Sequence, residues 1–156
     1  MTKQQFAQLV LDSTDSLYRV SRGILRNDAE CEDAVWEAIG IGFARLDTLR
    51  QDEYARTWLT RILIHECYRV LRQQKLRADM PEGLEQHPAG EKQNYSDLYD
   101  ALKKLSERYR APIVLFYLEG YSVREIADIL ECTEGTVKSW LSRGRSKLKK
   151  ILEEEL

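Results

Sequence analysis

The stretch from Ser122 to Lys147, SVREIADILECTEGTVKSWLSRGRSK, decides how the rest of the chain is read. Ser122 followed three residues later by Glu125 has the form of a capping box, in which hydroxyl and carboxylate each take one orphan N–H at a helix start. Ile126, Ala127 and Leu130 then share an inward face, and the small Ala127 lets a second helix cross closely. Glu131, Cys132 and Thr133 make a turn, and Thr133 caps the next helix. At about 100° per residue, Val137, Leu141, Gly144 and Leu148 fall on one face of that helix and Ser139, Ser142 and Ser146 on the opposite one. Lys138 and Lys149 border the serine face on one side and Arg143 on the other. This pattern is that of a helix-turn-helix, whose second helix enters a DNA major groove. Short hydroxyls permit close approach to base edges, and the bordering cations suit phosphates or guanine edges. Thr133 and Thr136 sit where a helix N-terminus offers free N–H groups to phosphate. The alternative is an ordinary helical hairpin with a polar outer face.

The pattern outside this stretch is also helical. Upstream, Leu98, Leu102 and Leu105 mark one helix beginning near Asn94. Pro112, at a permissive first-turn position, is expected to open another with Ile113, Val114, Phe116 and Tyr117. Gly120 closes it as the residue just past the helix end. In the N-terminal half, Phe6, Leu9, Val10, Leu17, Val20 and Ile24 form an apolar stripe over residues 3–25. Asp28 is expected to cap a second helix running to about Leu46, with Val35, Ile39, Phe43 and Leu46 inward. After a polar loop from Asp47 to about Glu53, a third helix spans about Tyr54 to Leu76. Residues 77–93 hold Pro81, Gly83, Pro88 and Gly90 with little periodicity, and read as a flexible linker. At about 3.3 Å per residue it reaches at most ~60 Å. The expected fold is therefore all-α: a helical domain over 1–76, the linker over 77–93, and a four-helix domain with a helix-turn-helix over 94–156, each half with its own core.

Composition narrows the classes. With 43% hydrophobic and 32% charged residues and only 8 Gly and 3 Pro, the 156-residue chain suits packed helices rather than strands or disorder. No apolar run is long enough for a membrane span, and the start lacks a signal-peptide core, so a soluble, cytoplasmic protein is expected. The net charge of −2 hides a segregation of charge. Arg56, Arg61, Arg69, Arg72, Lys75 and Arg77 face a single acid, Glu66, in one segment, while Lys138, Arg143, Arg145, Lys147, Lys149 and Lys150 face none in another. Two basic helices on a near-neutral chain suit two contacts with phosphate backbone, or else two solvated faces. Cys31, Cys67 and Cys132 are far apart and read as small apolar residues, not as a metal site.

At this point the chain resembles the extracytoplasmic-function (ECF) sigma factors of the sigma-70 family. Leu102 to Leu148, LKKLSERYRAPIVLFYLEGYSVREIADILECTEGTVKSWLSRGRSKL, is similar to that family's region 4, which reads the minus-35 promoter element. Asp28 to Leu46, DAECEDAVWEAIGIGFARL, resembles the region 2 helix that docks on polymerase, and Tyr54 to Lys75, YARTWLTRILIHECYRVLRQQK, the helix that engages the minus-10 element. The resemblance implies a transcription initiation factor, not an enzyme, with core RNA polymerase, promoter DNA and an anti-sigma factor as partners and no cofactor. It implies minus-35 contacts from Lys138, Ser139, Ser142 and Arg143, beside the Thr133 and Thr136 hydroxyls already placed at the helix start. It implies minus-10 contacts from Arg61, His65 and Arg69, with Tyr54 beside the loop as a candidate stacking ring, and polymerase docking through Asp33, Val35 and Glu37. Trp36 and Ile41, which depart from the family pattern, are either apolar anchors for polymerase or packed against a neighbouring helix. The chain departs from the family pattern at Trp36, Ile41, His65, Arg69, Glu131 and Trp140; at Glu131 the family commonly has a turn Gly. Gly40 and Gly42 each weaken their helix by about 1 kcal/mol relative to Ala.

Other readings start from the same residues. A helix-turn-helix regulator binding duplex DNA as a dimer would need no polymerase, but the N-terminal half carries no sensor or phosphoacceptor pattern. His65-Glu66 looks like the start of a zinc-protease motif but lacks a second His at i+4. No Gly-rich phosphate loop or G-x-S-x-G elbow occurs. Trp58 reads as core rather than as a platform for a melted base.

Overall fold

The computed structural model describes residues 1–78 and 97–155. The expected linker over 77–93, and with it His87, lies almost wholly outside the described residues. Seven α-helices and no strand are present among them.

Helix α1, Lys3–Ile24, starts at Thr2, whose hydroxyl accepts from the Gln5 N–H while the Gln5 side chain accepts from the Thr2 N–H. Its expected stripe is buried at Phe6, Val10, Leu17, Val20 and Ile24. Helix α2, Asp28–Ala44, is capped by Asn27 and not by Asp28: the Asn27 Oδ1 accepts from the Glu30 N–H at 2.8 Å. Asp28 becomes the first helical residue, where its carboxylate suits the positive end of the helix and pairs with Arg22 at 3.2 Å. Short 3₁₀ turns at Leu46–Thr48 and Asp52–Tyr54 lead into α3, Ala55–Ala78. These three helices pack on one another around Phe6, Leu59, Leu63 and Ile64. Trp58 belongs to this packing, edge-on to the Phe6 ring at 6.0 Å. Gly42 is where α2 meets Phe6 most closely, since a β-carbon there would lie 2.7 Å from the Phe6 ring.

The second half comprises α4, Asp97–Lys104; α5, Glu107–Ile113; α6, Val123–Leu130; and α7, Glu134–Glu155. Pro112 does not open a helix. It lies inside α5, and the helix continues through a π-helical turn, Val114–Leu118, before ending at Gly120 with φ +73°. Proline removes one i→i−4 bond and crowds the carbonyl four residues back, and the helix widens directly after it. The Glu119 N–H then reaches the Val114 carbonyl at 3.1 Å. Gly120 takes the left-handed conformation expected of it.

The two halves do not keep separate cores. A single apolar cluster runs from Phe6 and Leu63 through Leu102, Val114 and Ile126 to Leu141. Helix α1 lies against α4, α5 and the π-helical turn, and α3 lies against α6. Gly23 makes this closure possible, because a β-carbon there would meet Val114 Cγ2 at 2.3 Å.

The two glycines of α2 should behave oppositely. A β-carbon at Gly40 would meet nothing within 4 Å. Gly40→Ala is therefore expected to raise stability by about 1 kcal/mol through helix propensity. Gly42→Ala is expected to lower it by about 1–3 kcal/mol through the Phe6 clash. Urea unfolding of both variants checks this.

Candidate nucleic-acid interface

The helix-turn-helix is built as its sequence indicates. Ser122 Oγ accepts from the Glu125 N–H at 3.1 Å and Glu125 Oε1 accepts from the Ser122 N–H at 3.0 Å. Ile126 and Ala127 are buried as expected, but the third buried position is Ile129, and Leu130, expected inward, is half-buried. Glu131 ends α6 in the left-handed conformation, φ 58° and ψ 48°, the only non-glycine with positive φ among the described residues. That conformation costs an L-residue about 1–2 kcal/mol. Thr133 Oγ1 accepts from the Thr136 N–H at 3.2 Å and shares a hydrogen bond with the Thr136 hydroxyl at 2.8 Å. Val137, Leu141 and Gly144 are buried along α7, and Gly144 lies against Tyr109 and Ile113. Lys138, Ser142 and Arg143 are exposed, and Ser139 and Thr136 are half-buried. The outer face of α7 therefore presents its hydroxyls and cations to solvent.

Helix α3 presents Arg61, His65 and Arg69 at four-residue spacing, all exposed, with Tyr54 at 54% exposure before its first turn. Each of the three is already engaged with a carboxylate. Arg69 Nε donates to Glu66 on the same helix at 3.0 Å. Arg61 reaches across to Glu131 in the helix-turn-helix: its Nε donates to Glu131 Oε1 at 2.8 Å, and its Nη2 contacts the same oxygen. His65 Nε2 lies 3.5 Å from that oxygen. The Arg61 guanidinium holds the Glu131 carboxyl below the usual carboxylate range. The minus-10 candidates thus face the turn of the minus-35 candidate across the seam between the halves.

The seam has further polar contacts that no periodicity in the sequence discloses. Thr60 Oγ1 and Tyr121 Oη share a buried hydrogen bond of 2.9 Å, and the Arg56 guanidinium sits 5.0 Å from the centre of the Tyr121 ring. Arg19 grips Glu119 with two N–H groups at 2.8 and 2.9 Å. Lys75 lies 3.4 Å from Glu107. The one signal available beforehand was Gly23, a lone glycine inside a helical stripe, which marks a close approach without naming the partner.

On α2, Asp33 and Glu37 are exposed, Trp36 is 68% exposed, and Ile41 is half-buried. A groove between α1 and α2 opens beside Trp36, floored by Tyr18, Val35 and Ile39. Cys31 and Cys67 are buried and Cys132 is half-buried, and burial pushes the Cys31 thiol up to about 11, as expected of packing residues rather than reactive thiols. No cluster of ligating side chains suited to a metal occurs among the described residues.

Comparison with known proteins identifies the two halves. Residues 9–77 match the sigma-70 region 2 family and residues 95–148 match the sigma-70 region 4 family. The RNA polymerase sigma factor SigV of Bacillus subtilis is 30% identical over 91% of this chain and 87% of its own length. The present chain belongs to the extracytoplasmic-function group of sigma-70 RNA polymerase sigma factors. The ECF sigma factor SigM of Mycobacterium tuberculosis is 30% identical over 94% of this chain and 76% of that protein. Among solved structures, the sigma factor RpoE of Bartonella quintana, in complex with the anti-sigma factor NepR, superposes with a TM-score of 0.83. It is 27% identical, and the match covers 96% of this chain and 98% of that one, so it spans both halves. CnrH, solved with the cytosolic domain of CnrY, shares the fold at 22% identity and a TM-score of 0.76. The ECF sigma factor is thus a promoter-directing initiation factor and not an enzyme. No described helix is long and apolar enough to cross a membrane.

The reciprocal cap at Ser122 holds the first turn of α6 in both directions. Ser122→Ala is expected to cost about 1 kcal/mol, the usual loss when a capping hydroxyl is removed. Thermal unfolding followed by circular dichroism measures it, and an unchanged midpoint would show that the tertiary contacts of α6 hold its first turn without the hydroxyl.

Proposed function

We propose that this sigma factor divides promoter reading between units over 1–76 and 94–156, the outer face of α7 taking the minus-35 duplex and the exposed edge of α3 the minus-10 element. The observation that carries the duplex assignment is the unpacked face of α7. Lys138, Ser142 and Arg143 stand exposed there, while Val137, Leu141 and Gly144 hold the opposite face against the domain. Ser139 lies at the edge of that face, and Thr133 and Thr136 supply hydroxyls beside the first N–H groups of α7. Lys and Arg there bind phosphate or guanine, and the serines keep the groove close.

In the N-terminal unit, Arg61, His65 and Arg69 track the phosphates of melted DNA, and Tyr54 offers a ring for an unstacked base. Asp33, Trp36, Glu37 and Ile41 dock on core RNA polymerase, with Trp36 as the apolar anchor beside the α1–α2 groove. Polymerase is required because neither unit has enough basic surface to offset the few kcal/mol of extruding a base on its own. The protein acts in the cytoplasm, is not inserted in a membrane, and uses no cofactor. The likeness to the sigma factor RpoE, solved with the anti-sigma factor NepR, supports an anti-sigma factor as its inhibitor.

In vitro transcription with core polymerase on a promoter library tests the assignment. Trp36→Ala is expected to weaken binding to core polymerase about tenfold or more, the effect of removing a buried aromatic anchor; unaltered binding sinks the docking role. Arg143→Ala is expected to weaken minus-35 binding by about 1–3 kcal/mol, whereas Ser146→Ala, whose hydroxyl turns back to the Ser142 carbonyl at 3.3 Å, changes it little. Equal losses from both would mean that the wrong face of α7 has been assigned.

A further inference from the structure

We propose that Glu131 is an internal stand-in for a DNA phosphate, a latch that holds Arg61 and His65 against the helix-turn-helix and adds to the apolar seam in favouring the closed form of the unbound sigma factor. The inference rests on the minus-10 reading of Arg61 and His65 given above. Three observations carry it. The carboxylate takes two nitrogens of Arg61 on one oxygen and has His65 3.5 Å from the same oxygen, so one carboxylate faces both side chains. A phosphate oxygen makes the same kind of charge-assisted contact. The residue that supplies it adopts a left-handed conformation, φ 58°, that glycine would adopt without strain, so backbone geometry does not explain a glutamate here. The pair also bridges the halves, Arg61 on α3 and Glu131 at the end of α6, unlike the Arg69–Glu66 pair, which lies within α3.

The latch has the strength a switch needs. Both partners are nearly half exposed, at 45% and 47%. An exposed ion pair is worth little and weakens with salt, so the polyanion of a promoter can displace it. The other seam contacts, Thr60–Tyr121 and Arg19–Glu119, align the halves but leave Arg61 and His65 unobstructed.

The test uses the full chain, with a donor dye at exposed Leu11 on α1 and an acceptor at exposed Lys150 on α7, read by single-molecule energy transfer. A labelled single-stranded DNA oligonucleotide of random sequence reports phosphate binding on the same samples. Glu131→Gly, which suits the left-handed turn, is expected to raise the open fraction and the oligonucleotide affinity together, by about two- to fivefold, the factor an exposed ion pair carries. Raising NaCl should open the wild type more than Glu131→Gly, in which the Arg19–Glu119 and Lys75–Glu107 pairs across the seam remain to be screened. Gly23→Ala, which drives a β-carbon into Val114, is the latch-independent way to part the halves. An unchanged dye distance in Glu131→Gly overturns the latch, whatever Gly23→Ala does. If both variants open and neither gains oligonucleotide affinity, Glu131 still joins the halves. The DNA role of Arg61 and His65 then falls, and the stand-in with it.

Discussion

The close approach of α1 to the π-helical turn, Gly23 against Val114, is the constraint on which the shape of the molecule depends. It brings the second half onto the first, and every polar contact of the seam follows from it. Thr60 meets Tyr121, Arg19 meets Glu119, and Arg61 meets Glu131 only because the helices behind them are in van der Waals contact. The apolar cluster then runs unbroken through both halves. The hydrophobic term fixes the arrangement, and the charged groups at its edges select one register within it.

This arrangement separates two surfaces by their state. The outer face of α7 is solvent-exposed and ready for a duplex. The basic edge of α3 is neutralised, partly by its own Glu66 and partly by the other half. On the proposed division of labour, the face assigned to duplex DNA stands open and the face assigned to melted DNA is partly covered.

Much of the fold was legible in the sequence because it is local. The capping box at Ser122 and Glu125, the stripe of Phe6 to Ile24 and the stop at Gly120 each depend on residues within a turn or two of one another. The misreadings have local causes too. Asn27 outcompetes Asp28 as a cap because its side chain reaches the Glu30 N–H one position earlier. Pro112 is tolerated inside a helix because the following turn widens to a π-helical one. The seam was not legible. Its pairs are up to 100 residues apart in sequence, and no periodicity marks any of their members, each an ordinary Arg, Lys, His, Glu, Thr or Tyr when read alone. The exposures of Lys138, Ser142, Arg143, Trp36 and Tyr54 agree with the sequence reading, while Ile41 is half-buried and the pairing of Arg61 and His65 came from the structure alone.

Gly144 has a bearing on how DNA would be read although it points away from it. Helix α7 is 22 residues long, about 33 Å, and Gly144 sits at its middle, in contact with Tyr109 and Ile113 of α5. The helix therefore rests on α5 as a beam on a fulcrum. A β-carbon added at that point would lie 3.2–3.3 Å from Tyr109 and Ile113, so α7 and α5 would have to part by a few tenths of an ångström beneath Lys138 and Arg143. The seat of the proposed reading helix on the rest of the fold thus depends on the absence of a single β-carbon on its hidden side.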